Sequence, residues 1–209
     1  MSHNRSGLFI TLEGGEGAGK STAAQGLADL FRAEGREVIA TREPGGTKGA
    51  EAIRALLLAT DTPLAPMAQT MLHFAARADH VEALIRPALA RGAIVICDRY
   101  YDSTMAYQSY GQGVDIGAIA SLIRLINLHP DITFFLDVPA DVAQTRLAAR
   151  GAASDRYERQ GADFMARVAH GFRAIATAEP GRCMIIDATA QPQDLVAQMR
   201  RGIAARTGR

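Results

Sequence analysis

The chain has 209 residues, 48% of them hydrophobic, with a formal net charge of +1 and two cysteines. That composition supplies a buried core and leaves no charge imbalance to argue for nucleic acid or a membrane as partner. There is no apolar signal region at the start and no apolar run of membrane-spanning length. Cys97 and Cys183 lie in or beside strand-like runs, so the expectation is a cytoplasmic protein with buried, reduced thiols.

Strand-like runs recur at Leu8–Leu12, Val38–Thr41, Ala93–Cys97, Ile132–Val138 and Met184–Ile186, with helix-like stretches between them. Alternation of this kind predicts a five-stranded parallel sheet flanked by helices on both faces, in a single domain over 1–209. Ligands of such sheets bind beyond the carboxyl ends of the strands. Those ends carry charge: Glu13, Arg42, Asp98 with Arg99, and Asp137. Charges there are costly unless paired, and a phosphate with a metal ion would pair them.

The first strand runs into Gly14-Gly15-Glu16-Gly17-Ala18-Gly19-Lys20-Ser21, followed by Thr22 and an amphipathic run to Phe31. Strand, glycine-rich turn and helix give G-x-x-x-x-G-K-[ST] its physical meaning as a P-loop. The turn points several N–H groups at a polyphosphate, Lys20 reaches the terminal phosphates and the Ser21 hydroxyl ligates Mg²⁺. Lys20 is one of two lysines among 23 basic residues, which suits a compact point charge between phosphates. The ATP-binding residues are therefore Gly14 through Thr22, on a P-loop NTPase fold.

Arg42-Glu43-Pro44-Gly45-Gly46-Thr47 is a turn by composition. A helix follows from Gly49 to Leu58, with Arg54 able to project back towards the pocket. Pro66 opens the next helix. On it, Phe74 and Arg77 can share a face, and so can His73 and Arg77. An aromatic beside a guanidinium suits a flat base with a carbonyl edge, and a core Phe beside a surface Arg is the plainer reading. Asp98-Arg99-Tyr100 follows a buried strand and offers a carboxylate for a metal-bound water or an acceptor hydroxyl and a fork for a second phosphate, the plainer reading being a buried ion pair. Ser103, Thr104, Tyr107 and Gln108 bring hydroxyl and amide groups suited to a nucleoside. From Arg146 the chain turns basic (Arg150, Arg156, Arg159) around a small polar stretch, which reads as a mobile lid at about 148–160.

The ordered set Thr41–Thr47, Phe74-Ala75-Ala76-Arg77, Asp98-Arg99-Tyr100, Ala106-Tyr107-Gln108, Asp155-Arg156-Tyr157-Glu158 and Ile186-Asp187-Ala188 resembles thymidylate kinase, the dTMP kinase of bacteria, over nearly the whole chain. The resemblance implies transfer of the ATP γ-phosphoryl group to dTMP with Mg²⁺, for dTTP biosynthesis, by a homodimer. It implies that Glu16 faces the acceptor's sugar and that Arg99, helped by Arg42, holds the dTMP phosphate. By the same resemblance Asp98 stands near the metal, and Arg77, Gln108 and Thr104 or Ser103 read thymine and sugar. Arg54 matches a further substrate-side arginine, and Glu43, Pro44 and Tyr107 join the acceptor site. Gly17 stands where some members carry a P-loop arginine, so the transition-state role passes to Arg150 and Arg156 in the lid. The stacking aromatic of many members sits four residues before the arginine, where this chain has His73; Phe74 is the expected stacking ring. A GTP switch is excluded by the lack of N-K-x-D, the nearest stretch being Asn127-Leu128-His129-Pro130. Another small P-loop kinase, or a silent nucleotide-binding module, is the rival reading.

Overall fold

The protein is described from a computed structural model that covers residues 7–59, 61–150 and 160–208, with Arg150 as backbone only. Five parallel strands form one sheet in the order β2-β3-β1-β4-β5. They are β1 (Leu8–Glu13), β2 (Val38–Arg42), β3 (Ile94–Asp98), β4 (Ile132–Asp137) and β5 (Cys183–Asp187). From β1 the chain crosses first to β2 and β3 on one side, then to β4 and β5 on the other. The strand order therefore reverses beside β1, where a crevice opens at the carboxyl ends.

Side-chain alternation along β1 sends Leu8, Ile10 and Leu12 to one face and Phe9 to the other. The first face packs against α1 (Lys20–Ala33), through Leu27 and Phe31, and α9 (Pro192–Thr207), through Leu195 and Met199. The second packs against α3 (Pro66–His80) and α6 (Ile116–Ile126), through Phe74, Ile119 and Ile123. Phe135 of β4 packs with Phe164, Val168 and Phe172 of α8 (Ala162–Ala178). Each fully buried Leu or Ile contributes roughly 1.5–3 kcal/mol, so stability is drawn from both faces. Cys97 and Cys183 are buried free thiols, as expected.

Two local features place the site. Between β2 and α3, helix α2 (Lys48–Leu58) is capped by the Thr47 side chain, which accepts from Ala50 N–H at 3.2 Å. Helix α3 continues through a π-helical turn, Val81–Ile85, into α4 (Arg86–Ala90). Pro87 explains the wide turn: its ring would clash with the carbonyl four residues back. After β3 a short α5 (Tyr101–Thr104) runs into a second π-helical stretch, Met105–Gly111.

The expected lid begins on α7 (Ala140–Arg150) and falls mostly on residues 151–159, which lie outside the described residues, as does Arg156. Among the described residues no helix is long and apolar enough to cross a membrane.

Candidate functional site

The P-loop wraps the end of β1. Gly14 has φ +138°, and a Cβ there would lie 2.5 Å from the Leu136 carbonyl oxygen, so only glycine lets the loop lie this close to β4. Lys20 starts α1 and is buried; its Nζ donates to the Gly15 carbonyl at 2.7 Å. Burial, then the neighbouring Arg99, lowers its pKa, against the pull of Glu16, Asp98 and Glu13. A polyphosphate in the loop would reverse that depression. The Ser21 hydroxyl donates to Asp98 Oδ2 at 2.6 Å, because β1 and β3 are neighbours with Leu12 level with Asp98. A hydroxyl and a carboxylate side by side, both at an exposed contact, are a hard oxygen donor set that fits Mg²⁺.

Arg99 stands at φ +70°, in the left-handed region, held by its N–H to the Leu12 carbonyl at 2.9 Å. Its guanidinium donates to Gly14 O (3.0 Å), Ser103 Oγ (3.0 Å) and Glu16 Oε1 (2.5 Å). The strand-end charges are thus largely paired by the protein itself. Arg42 pairs with Glu51 (2.9 Å), Asp137 with Arg173 (2.9 Å) and Arg99 with Glu16. Side chains of the protein thus do part of the pairing expected of a phosphate and a metal ion.

Farther from the P-loop, Arg77 is only 2% exposed. Its Nε donates to Glu43 Oε2 (2.7 Å) and its Nη2 to Thr104 Oγ1 (3.1 Å). The guanidinium carbon lies 4.6 Å from the Phe74 ring centre and 5.1 Å from that of Tyr100. Phe74 is therefore not the stacking ring. It is buried against the sheet, beneath Arg77, and does not line the cavity, whereas His73 does. The two side chains are about 100° apart on α3, and the helix turns the more apolar one inward. Loss of water around His73, then Arg77, Arg99 and Arg54, pushes its pKa down to about 3, so it offers a flat, neutral ring. The Glu43–Pro44 peptide is cis, and Arg54 Nη1 donates to the Pro44 carbonyl at 2.7 Å.

A carboxyl that the sequence left without a role lies beneath the site. Glu13 is fully buried, accepting from Tyr100 N–H (2.7 Å) and the Ser103 hydroxyl (2.5 Å). Burial, then Asp102, pushes it up to about 8. Folding therefore retains a proton that the unfolded chain releases near pH 4.5. This contribution is full below the unfolded value and is lost as pH rises through about 8. Glu13→Gln keeps the Oε1 acceptor and removes the titration. The difference in Tm between variant and parent is expected to shift in the variant's favour from about pH 5 to about pH 9. A difference independent of pH over that range would show that Glu13 does not titrate there.

One cavity of about 700 Å³ joins these groups. It is lined by Glu16, Gly17, Gly19, Lys20, Ser21, Thr22, Asp98 and Arg99 at the phosphate end. Arg42, Glu43, Pro44, Arg54, His73, Arg77, Ser103, Thr104, Tyr107 and Gln108 complete it. Gly14 and Gly15 face a second cavity, of about 470 Å³, between the P-loop, α7 and α8, and Ala18 is buried in the core. Leu58, Tyr100, Arg146 and Leu147 also line the first cavity and were not singled out as site residues. Arg146 bridges to the Ala188 carbonyl at 2.9 Å. Its place as first of the arginine run was the only signal available, because the loop it touches is 42 residues away.

The family model described as "Thymidylate kinase" matches residues 12–199. A thymidylate kinase of Gluconobacter oxydans is 49% identical over 201 residues, covering 94% of each chain. One from Chromohalobacter salexigens is 52% identical over 186 residues, covering 87% of this chain and 88% of that one. The crystal structure of thymidylate kinase from Ehrlichia chaffeensis superimposes with a TM-score of 0.77 at 34% identity, over 95% of this chain and 99% of that one. A P-loop at the strand-order reversal, a second arginine cluster across one cavity, and identity at this level over nearly the full length all agree: the chain belongs to the thymidylate kinase family.

Proposed function

We propose that the chain transfers the γ-phosphoryl group of ATP to dTMP, giving dTDP and ADP, with Lys20, Asp98 and Arg99 at the reacting phosphates. The observation that carries this reading is the single cavity running from Lys20 and Ser21, past Arg99, to Arg77 and Gln108. It puts the phosphate loop and the candidate base-reading groups in one space of about 700 Å³, and phosphoryl transfer needs little from the protein beyond alignment and charge. The acceptor phosphate is a dianion above its second pKa of about 6, so its oxygen attacks without a general base. The new P–O bond forms as the bond from the γ-phosphorus to the bridging oxygen of ADP breaks. Lys20 and Arg99 meet the charge that moves between the two phosphates. Ser21 and Asp98 would hold Mg²⁺, which supplies further neutralisation of the phosphate oxygens when bound. His73 stacks on the base and Arg77 and Gln108 meet its polar edge. Arg42 and Arg54 serve the acceptor side. Arg150 and Arg156 complete the transition-state charge from the lid, since Gly17 leaves the P-loop without an arginine.

We assign the chain to a reducing, cytoplasmic setting, consistent with two buried free thiols. We also assign it a homodimer through α2, α3 and α6. These helices pack side by side and expose Leu56, Met67, Met71 and Leu125, an apolar surface of the kind that partners cover. A monomeric mass by light scattering would refute the dimer.

The test of function is ADP release with ATP and Mg²⁺ on dTMP, dUMP, dCMP, AMP and GMP in parallel. Turnover on dTMP well above the others is expected. A preference for another monophosphate would overturn the acceptor assignment and leave the P-loop standing. A near-normal kcat for Arg156→Ala would remove the lid assignment.

A further inference from the structure

We propose that His80 is a positioning residue for base recognition: through Glu43 it fixes the Arg77 guanidinium so that Nη1 faces the acceptor pocket. The proposal rests on the reading of Arg77 as the group that meets the base. His80 closes α3 and is fully buried, away from the cavity. Its Nδ1 lies 3.0 Å from Glu43 Oε1 and its Nε2 2.8 Å from Thr41 Oγ1. A carboxylate paired with arginine only accepts, so Nδ1 carries the proton and donates to Glu43. The other Glu43 oxygen takes Arg77 Nε at 2.7 Å. Glu43 lines the cavity but is only 4% exposed, and each of its oxygens accepts from a buried residue, so it is placed to orient Arg77.

What remains of Arg77 points to a ligand. Nη2 is held by Thr104, and the aromatic faces of Phe74 and Tyr100 lie against the guanidinium plane. Among the described residues Nη1 is buried without a hydrogen-bond partner. A buried guanidinium nitrogen left unpaired is expensive, and a carbonyl oxygen entering the pocket would satisfy it. The position of Nη1 is set by Nε, which is set by the Glu43 carboxylate plane. The terminal torsion of a glutamate is soft, so one hydrogen bond fixes that plane poorly and two fix it well. His80 supplies the second.

His80 also seats the loop that carries Glu43. Gly46 has φ +89°, and a Cβ there would fall 2.5 Å from His80 Nε2 and 2.6 Å from Thr41 Oγ1. The imidazole thus packs under the turn and orients its first residue. The nearby Cys97 thiol does not make this cluster a metal site. Burial pushes that thiol well above its usual range, and the facing lone pairs of Glu43 are spent on Arg77 and His80.

The experiment compares His80→Ala, His80→Asn, His80→Gln and Arg77→Ala by steady-state kinetics on dTMP and ATP, with Tm measured for each. His80→Ala is expected to raise KM for dTMP about tenfold, the scale of one oriented hydrogen bond, with KM for ATP and kcat within about threefold. Asparagine places an amide N–H where Nδ1 stood and should restore KM for dTMP. Glutamine reaches the Thr41 side instead and should not. If alanine prevents folding, the Asn and Gln pair carries the comparison. The double variant His80→Ala with Arg77→Ala should bind dTMP no worse than Arg77→Ala alone. Unchanged KM in both the Ala and Gln variants overturns the proposal. So do equal rescue by Asn and Gln, or additive losses in the double variant. An Arg77→Ala variant with normal KM for dTMP would instead overturn the reading of Arg77 itself.

Discussion

Replacing Lys20 with alanine is expected to lower kcat by about 10²–10³ while leaving the fold intact, the usual cost of removing one preorganised charge from a transition state. The ammonium is buried and spends one proton on the Gly15 carbonyl. Burial and Arg99 lower its pKa, so without phosphates it is an electrostatic burden on the folded chain. Truncation removes that burden, and alanine suits the first turn of a helix. The Tm of Lys20→Ala is accordingly expected to equal or exceed that of the parent, while turnover collapses. Arginine is not expected to rescue, since a planar fork does not replace a point charge seated in the loop. Turnover within tenfold of the parent would show that the P-loop lysine is not needed for transfer.

Arg99→Ala is expected to lower kcat/KM for dTMP by about 10³, or about 4 kcal/mol of transition-state stabilisation. Two losses combine. The cation that meets the acceptor phosphate disappears, and Glu16 loses the partner that held it at 2.5 Å. The Glu16 carboxylate, no longer neutralised by Arg99, then stands on the wall of the cavity where anions must sit. Adding Glu16→Gln to Arg99→Ala should therefore recover part of the lost kcat/KM. No recovery would mean that repulsion by Glu16 contributes nothing. Backbone and charge can also be separated. Arg99 sits at φ +70°, which glycine adopts freely and alanine at a cost of about 1 kcal/mol. Arg99→Gly should melt above Arg99→Ala and be equally impaired.

Much of the fold was legible in one dimension because parallel strands covered on both faces are continuous apolar runs, and five such runs were found where five strands lie. The P-loop was legible for a similar reason: its chemistry resides in backbone groups and two adjacent side chains, so spacing alone places them. The π-helical turns at Val81–Ile85 and Met105–Gly111 were not, since they depend on Pro87 and on packing rather than on periodicity.

The sequence by itself determined the strand–helix alternation, the phosphate loop and the acidic–basic pair after β3, and with the family resemblance it named twelve residues, expected on the acceptor side, that line one cavity. Only the tertiary structure decided which of His73 and Phe74 faces that cavity. Adjacent helix positions differ by about 100°, and which one turns inward depends on what the helix packs against. It likewise decided that Glu43, Arg77 and His80 form one chain of hydrogen bonds. Their partners stand 34 and 37 residues apart in the sequence, a separation that no local pattern records.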